Sequence, residues 1–215
     1  MVSNLPIQLD ASCNGFQHLT LLVDDLALSK ELNLNESCWN DNPKDFYNFI
    51  ALKVKNFFDK KLEESQAGKL VLSPEDKESY KKLARLEIYR ALIKKAVMTI
   101  PYNASTSSIF EYIKENFDKQ RNPNFSEISN TGNKKDFYIY KLKSDLSIPE
   151  IFTELDFKNL RKALKFVIFV DYPKLTALAE YLKGVATVSN TLNIPISWIL
   201  PTGLVINQQF LIKNP

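Results

Sequence analysis

Cysteine is close to absent in this chain. Cys13 and Cys38 are too few and too far apart for a disulfide framework or a zinc site. That usage suits a reducing interior, cytosol or organelle matrix. Glycine is equally sparse, with five in 215 residues, which excludes repeats built on tight turns, and no internal repeat is found. No apolar run is long enough for a bilayer; stretches such as Phe166 to Val170 are far too short, so no membrane partner is expected. The start, Met-Val-Ser-Asn-Leu-Pro, has neither a signal peptide nor an Arg-rich transit sequence. If the protein works in an organelle, it is made there or Met1 is not the start of the working polypeptide. The net charge of +3 is small; it permits a nucleic-acid partner without demanding one, because such a footprint is local clustering of Lys and Arg.

What is present is core-forming material. Fourteen Phe and nine Tyr argue against a disordered tail, and the length allows one large domain or two small ones. Leu5 to Leu9, ending at Asp10, reads as a buried strand. Asn14-Gly15 then turns the chain into an amphipathic run from Phe16 to about Leu28. A polar loop holding Cys38 and Trp39 follows. From Pro43 to about Glu64, Phe46, Phe49, Ile50, Val54, Phe57 and Phe58 recur at helical spacing, with Pro43 suited to the first turn. Ser73 is placed as an N-cap, with Pro74 at the first helical position, for a long helix running to about Thr99. Pro101 ends it. Ser105 to Asp118 reads as a helix and Gln120 to Lys135 as loop. Asp156 to Val170 and Pro173 to Asn193 read as helices separated by Tyr172-Pro173, and the tail as a β-hairpin around Pro201-Thr202-Gly203. The fold class expected is α+β and predominantly helical.

Chemistry concentrates before Pro101. Between Lys81 and Lys95 stand Lys81, Lys82, Arg85, Arg90, Lys94 and Lys95 against one acid, Glu87. Arg90 and Lys94 are four apart, so they share a helix face and repel. A solvated face is the bland reading. The sharper one is an anion such as a triphosphate, for which Lys is a point charge and Arg a fork. Tyr102 follows the proline and could stack on, or police, a sugar or base; it could equally be a packed aromatic at a helix end. Asp10, after a strand and before Ala11, Ser12 and Cys13, leaves room around a hard cation, and Mg²⁺ takes oxygen ligands from one or two carboxylates plus substrate phosphates. One Asp supplies less than two-metal phosphoryl transfer needs, and an Asp after a strand is more often a turn or cap residue.

Three segments carry a resemblance. Asp10-Ala-Ser-Cys-Asn-Gly-Phe-Gln-His18 resembles the first palm motif of single-subunit, phage- and mitochondrial-type DNA-directed RNA polymerases. Arg90-Ala-Leu-Ile-Lys94-Lys-Ala-Val-Met-Thr-Ile-Pro-Tyr102 resembles their fingers-helix motif, Arg-x3-Lys-x3-Met-Thr-x2-Tyr. Trp198-x2-Pro201-x-Gly203-x4-Gln208 resembles the segment before the final palm motif. The wording Ile-Pro-Tyr-Asn-Ala-Ser is most like enzymes of mitochondrial linear plasmids. The resemblance implies a partial right-hand polymerase: palm over 1–40, helical fingers over 41–195, and a returning palm hairpin over 196–215. It implies Asp10 as a metal-binding aspartate for Mg²⁺. Arg90 and Lys94 would hold the incoming triphosphate, Tyr102 would help select ribose, and Gly15 would let backbone approach the substrate. Asp10, Lys94 and Tyr102 are the catalytic set, and DNA template, RNA product and ribonucleoside triphosphates the partners, for a monomer of the mitochondrial matrix.

Two departures qualify it. Asn103 stands where the family usually has Gly. The family's second catalytic Asp lies in a His-Asp-Ser motif downstream of the Trp-Pro-Gly segment, and the chain ends at Pro215 before reaching one. The expectation is an incomplete catalytic domain, inactive as isolated, with a non-catalytic nucleotide- or nucleic-acid-binding remnant as the alternative. Asp171 imitates a catalytic Asp after a strand, but it precedes Trp198 and reads as a helix-boundary residue. His18 is read as packing under the metal site, and Asp24 and Asp25 as a solvated helix face.

Overall fold

Side-chain caps start several of the helices in the computed structural model, which describes residues 13–35, 42–86, 90–102, 104–121, 138–143 and 151–208. The expected strand at Leu5 to Leu9, Asp10, the Cys38-Trp39 loop, Asn103 and most of the Gln120–Lys135 stretch lie outside them. By contacts the chain forms two compact units, Met1–Tyr172 and Pro173–Pro215.

In the first unit, α1 (Asn14–Val23) and α2 (Leu26–Glu31) replace the single run expected from Phe16 to Leu28. Asp24 adopts the left-handed conformation, φ 48°, that closes α1, a state Asp tolerates better than most residues. Asp25 then accepts a bond from the Leu28 N–H at 3.1 Å to open α2. The two acids are therefore cap residues rather than decoration on a helix face. Helix α3 (Phe46–Gln66) begins at Asp45, whose Oδ1 accepts from the Tyr47 and Asn48 amides at 3.0 and 3.3 Å. Pro43 thus precedes the first turn instead of occupying it. This helix buries Phe46, Tyr47, Ile50, Ala51, Val54, Phe57 and Phe58, and is the spine of the core.

Helix α4 (Pro74–Arg85) has Ser73 as N-cap, bonding the Asp76 amide at 3.0 Å, and Pro74 at its first position. It does not run to Thr99. Leu86, buried, turns to an extended conformation (φ −62°, ψ 127°) and α5 (Arg90–Thr99) starts afresh. The break lets two buried stripes face different neighbours. α4 lies on α3 and α7, whereas α5 lies on α3 and α6. A 3₁₀ turn, Ile100–Tyr102, follows α5 at Pro101.

Helix α6 (Thr106–Lys114) is capped by Ser105 and stops short of Asp118. The Asn116 side-chain amide donates to the carbonyls of Leu92 and Ile113 at 3.3 and 3.2 Å, and Phe117 then enters β1 (Phe117–Arg121), its ring 4.8 Å from that of Phe157. Burying that ring wins over one more helical turn. β1 pairs antiparallel with β2 (Tyr138–Leu142), Phe117 opposite Leu142 and Arg121 opposite Tyr138. Helix α7 (Glu154–Lys165) continues into a π-helical turn, Phe166–Val170, and Asp171 sits just past it, ion-paired with Lys53 at 2.9 Å. That agrees with a helix-boundary role.

The second unit contains α8 (Pro173–Leu192) and a hairpin of β3 (Ile196–Ile199) with β4 (Val205–Gln208), Trp198 opposite Ile206. Gly203 (φ 82°) supplies the left-handed residue its turn requires. The molecule is α+β and predominantly helical, as expected. No helix among the described residues is long and apolar enough to cross a membrane.

Candidate nucleotide site

Four of the five residues singled out by sequence fall within the described part of the first unit. Arg90 opens α5 and Lys94 lies one turn on. Tyr102 ends the 3₁₀ turn after the same helix. Gly15 is the second residue of α1. Asp10 lies outside the described residues. Lys94 is half-buried, and Arg90 and Tyr102 reach solvent, Tyr102 at 65% exposure.

Tyr47, which lies outside the apolar stripe read from the sequence, joins them. It is buried to 3% exposure. Its ring lies under both cations, with the Arg90 guanidinium carbon 5.4 Å and the Lys94 Nζ 5.9 Å from its centroid. Within about 6 Å a cation is drawn to the negative face of an aromatic ring. This offsets part of the repulsion between Arg90 and Lys94. Arg90 is also ion-paired with Asp45, Nε to Oδ2 at 2.7 Å. Burial pushes the Tyr47 phenol above its ordinary range; Cys13, Asp45 and Tyr102 add to the rise and Arg90 opposes it. The two cations of α5 thus meet one ring of α3.

Gly15 meets Tyr102 directly. The Tyr102 hydroxyl donates to Asn14 Oδ1 at 3.1 Å. A Cβ added at Gly15 would stand 3.0 Å from Pro101 Cβ and 3.1 Å from the Tyr102 hydroxyl. Only the missing side chain lets the α1 start approach the tyrosine so closely. The periodicity of α3 gave no signal for Tyr47 beyond burial, and Asn14 was read only as part of a turn. His18 lies exposed on α1. Lys95, the other cation of α5, faces away to Glu115 at 2.5 Å and the Tyr112 ring. Trp198, Pro201, Gly203 and Gln208 belong to the second unit, in and beside its hairpin. Among the described residues no group of three His, Cys, Asp or Glu side chains could hold a metal.

Two cations over one aromatic ring could take an anion, Arg as a fork and Lys as a point charge. Comparison with known proteins gives the family. A family model described as DNA-dependent RNA polymerase matches residues 1–214. A probable DNA-directed RNA polymerase of Podospora anserina is 43% identical over 210 residues, covering 98% of this chain and 20% of that protein. One of Neurospora crassa is 30% identical over 210 residues, 97% of this chain and 21% of its own length. The mitochondrial DNA-directed RNA polymerase of Schizosaccharomyces pombe is 29% identical over 140 residues, 63% of this chain and 11% of its own length. The chain belongs to the single-subunit DNA-dependent RNA polymerase family. It spans about a fifth of the length of the two probable polymerases.

Proposed function

We propose that this stretch of chain holds the triphosphate-binding side of the nucleotide site of a DNA-directed RNA polymerase. The observation that supports it best is the pairing of Arg90 and Lys94 over the Tyr47 ring, with Tyr102 against Gly15 nearby. In this reading Arg90 and Lys94 take the β- and γ-phosphates, and Tyr102 lies where the ribose would stand. Phosphoryl transfer depends chiefly on positioning and on neutralising charge, which is what two fixed cations supply. Residues 1–40 belong to the palm, 41–195 to the fingers and 196–215 to a returning palm hairpin of a right-hand polymerase. DNA template, RNA product and ribonucleoside triphosphates are the partners. Asp10 is the carboxylate proposed for magnesium; a bound ion would neutralise phosphate charge there. Fungal relatives, one of them named mitochondrial, support a place in mitochondria.

The test is equilibrium binding of ATP with Mg²⁺ to the 215-residue chain. ATP should bind well above AMP, and Lys94→Ala should weaken ATP by about tenfold to a hundredfold, the worth of a charge-assisted bond, with the melting temperature unchanged. A chain that binds ATP no better than AMP would overturn the proposal.

A further inference from the structure

Asp45 precedes α3 in sequence and was no part of any motif, yet its two carboxylate oxygens are divided between two tasks. Oδ1 caps α3 through the Tyr47 and Asn48 amides. Oδ2 is ion-paired with Arg90, 2.7 Å from its Nε. The acid therefore ties the start of α5 to the start of α3, the helix that carries the ring on which Arg90 and Lys94 rest. It engages the guanidinium through Nε. The terminal amino groups, the ends that form a fork on a phosphate, have no further ion pair among the described residues.

We infer that Asp45 is a positioning residue for the triphosphate-binding cations: it turns the Arg90 guanidinium on the Tyr47 ring so that its terminal donors face the anion. The inference rests on the nucleotide-site reading above. The opposite outcome has a physical basis too. Asp45 is a negative charge near the proposed anion and could act only as a competitor for Arg90. Two features decide for positioning. The carboxylate is already compensated by the helix start it caps, and both it and Arg90 are about two-fifths exposed (42% and 44%), so its repulsion at a distance is screened. The orientation of a flexible side chain is not screened; fixing a rotamer-rich arginine beforehand removes a cost that binding would otherwise bear.

The two ideas differ in sign, which makes the test direct. Asp45→Asn keeps the shape and the capping oxygen but places an amide nitrogen against Arg90 Nε; Asp45→Ser keeps a good cap and is too short to reach Arg90. Both remove the same charge. Binding of inorganic tripolyphosphate with Mg²⁺ should weaken about fivefold in each, with melting temperatures close to that of the unaltered chain. The Arg90 Nε resonance in ¹⁵N correlation spectra should move in both variants as the adjacent carboxylate is lost, a change that loss of the cap alone would not cause. Unchanged or tighter tripolyphosphate binding in the variants overturns this inference and leaves the nucleotide site standing. Failure of the unaltered chain to bind tripolyphosphate overturns the underlying reading and this inference with it.

Discussion

Adding one methyl group at Gly15 separates what the close approach does for function from what it does for stability. In Gly15→Ala the new Cβ would sit 3.0 Å from Pro101 Cβ, 3.1 Å from the Tyr102 hydroxyl and 3.2 Å from Tyr102 Cζ. Contacts that tight require a shift of a few tenths of an ångström. Tyr102 is the partner free to give, because its ring is mostly in solvent. Its movement breaks the exposed hydrogen bond to Asn14, a loss of about 0.5–1 kcal/mol. Against this, replacing Gly by Ala within a helix gains up to about 0.5–1 kcal/mol. The two nearly cancel, and with about 2–4 °C per kcal/mol for a domain of this size the melting temperature should move by less than about 2 °C. Function should not be spared. The methyl fills the gap between α1 and the tyrosine, and displaces the hydroxyl proposed to face the ribose. ATP binding should weaken about tenfold, while tripolyphosphate, which lacks a ribose, should bind as before. Differential scanning calorimetry and titration calorimetry on the same preparations read both. A fall of more than about 5 °C would show that Tyr102 cannot yield, and unchanged ATP affinity would show that it does not face the nucleotide; either result refutes the reasoning.

Tyr102→Phe removes the hydroxyl alone, so discrimination between ATP and dATP should shrink several-fold with tripolyphosphate affinity unaltered; a ratio that stays put separates Tyr102 from ribose selection. Asp156 is buried at 1% exposure and accepts from Lys82 Nζ at 2.8 Å, from the Thr153 amide at 2.7 Å and from the Thr153 hydroxyl at 3.1 Å. Asp156→Ala should therefore cost about 3–5 kcal/mol, seen in urea as a lower midpoint at constant slope; a cost under about 1 kcal/mol would mean that Lys82 finds another partner. Burial raises the phenols of Tyr47, Tyr80, Tyr140 and Tyr172, Tyr140 also through its bond to Glu154. Lys53 is raised as well, burial being outweighed by its bonds to Asp171 and Tyr172. For each group the folded chain holds its proton more tightly than the unfolded one, so this stability is fully present below about pH 10 and is lost as pH rises through the folded values. Absorbance at 295 nm should show these four tyrosines ionising together with unfolding; their smooth titration in a folded chain would contradict it.

Helix starts with a hydroxyl cap, Ser73 and Ser105, were legible because the cap and the residues it serves are neighbours in sequence. The hairpin at Gly203 was legible for the same reason. What escaped depends on partners distant in the chain. Leu86 ends α4 while the apolar spacing runs on through Leu92 and Ile93, so periodicity alone joined two helices. Strand β1 was lost to the preceding helix because its pairing partner, β2, lies beyond residues 122–137 and its anchor, Phe117, packs on Phe157. The site divides the same way. Arg90, Lys94 and Tyr102 share one motif, and their spacing predicted a common neighbourhood. Tyr47 and Asp45 could not be read from spacing, since a tyrosine that floors a cationic site and one that merely fills a core give the same helical stripe. The distinction is made by what lies above the ring, and that is decided by α5, more than forty residues later in the chain. Apart from Lys94, which lies one turn into α5, the pieces of the site come from helix termini: the starts of α1, α3 and α5, and the turn after α5. Those are the places where backbone groups and caps are not consumed by the helix itself. Short side chains such as Asp45 can then serve the fold with one oxygen and a neighbouring cation with the other.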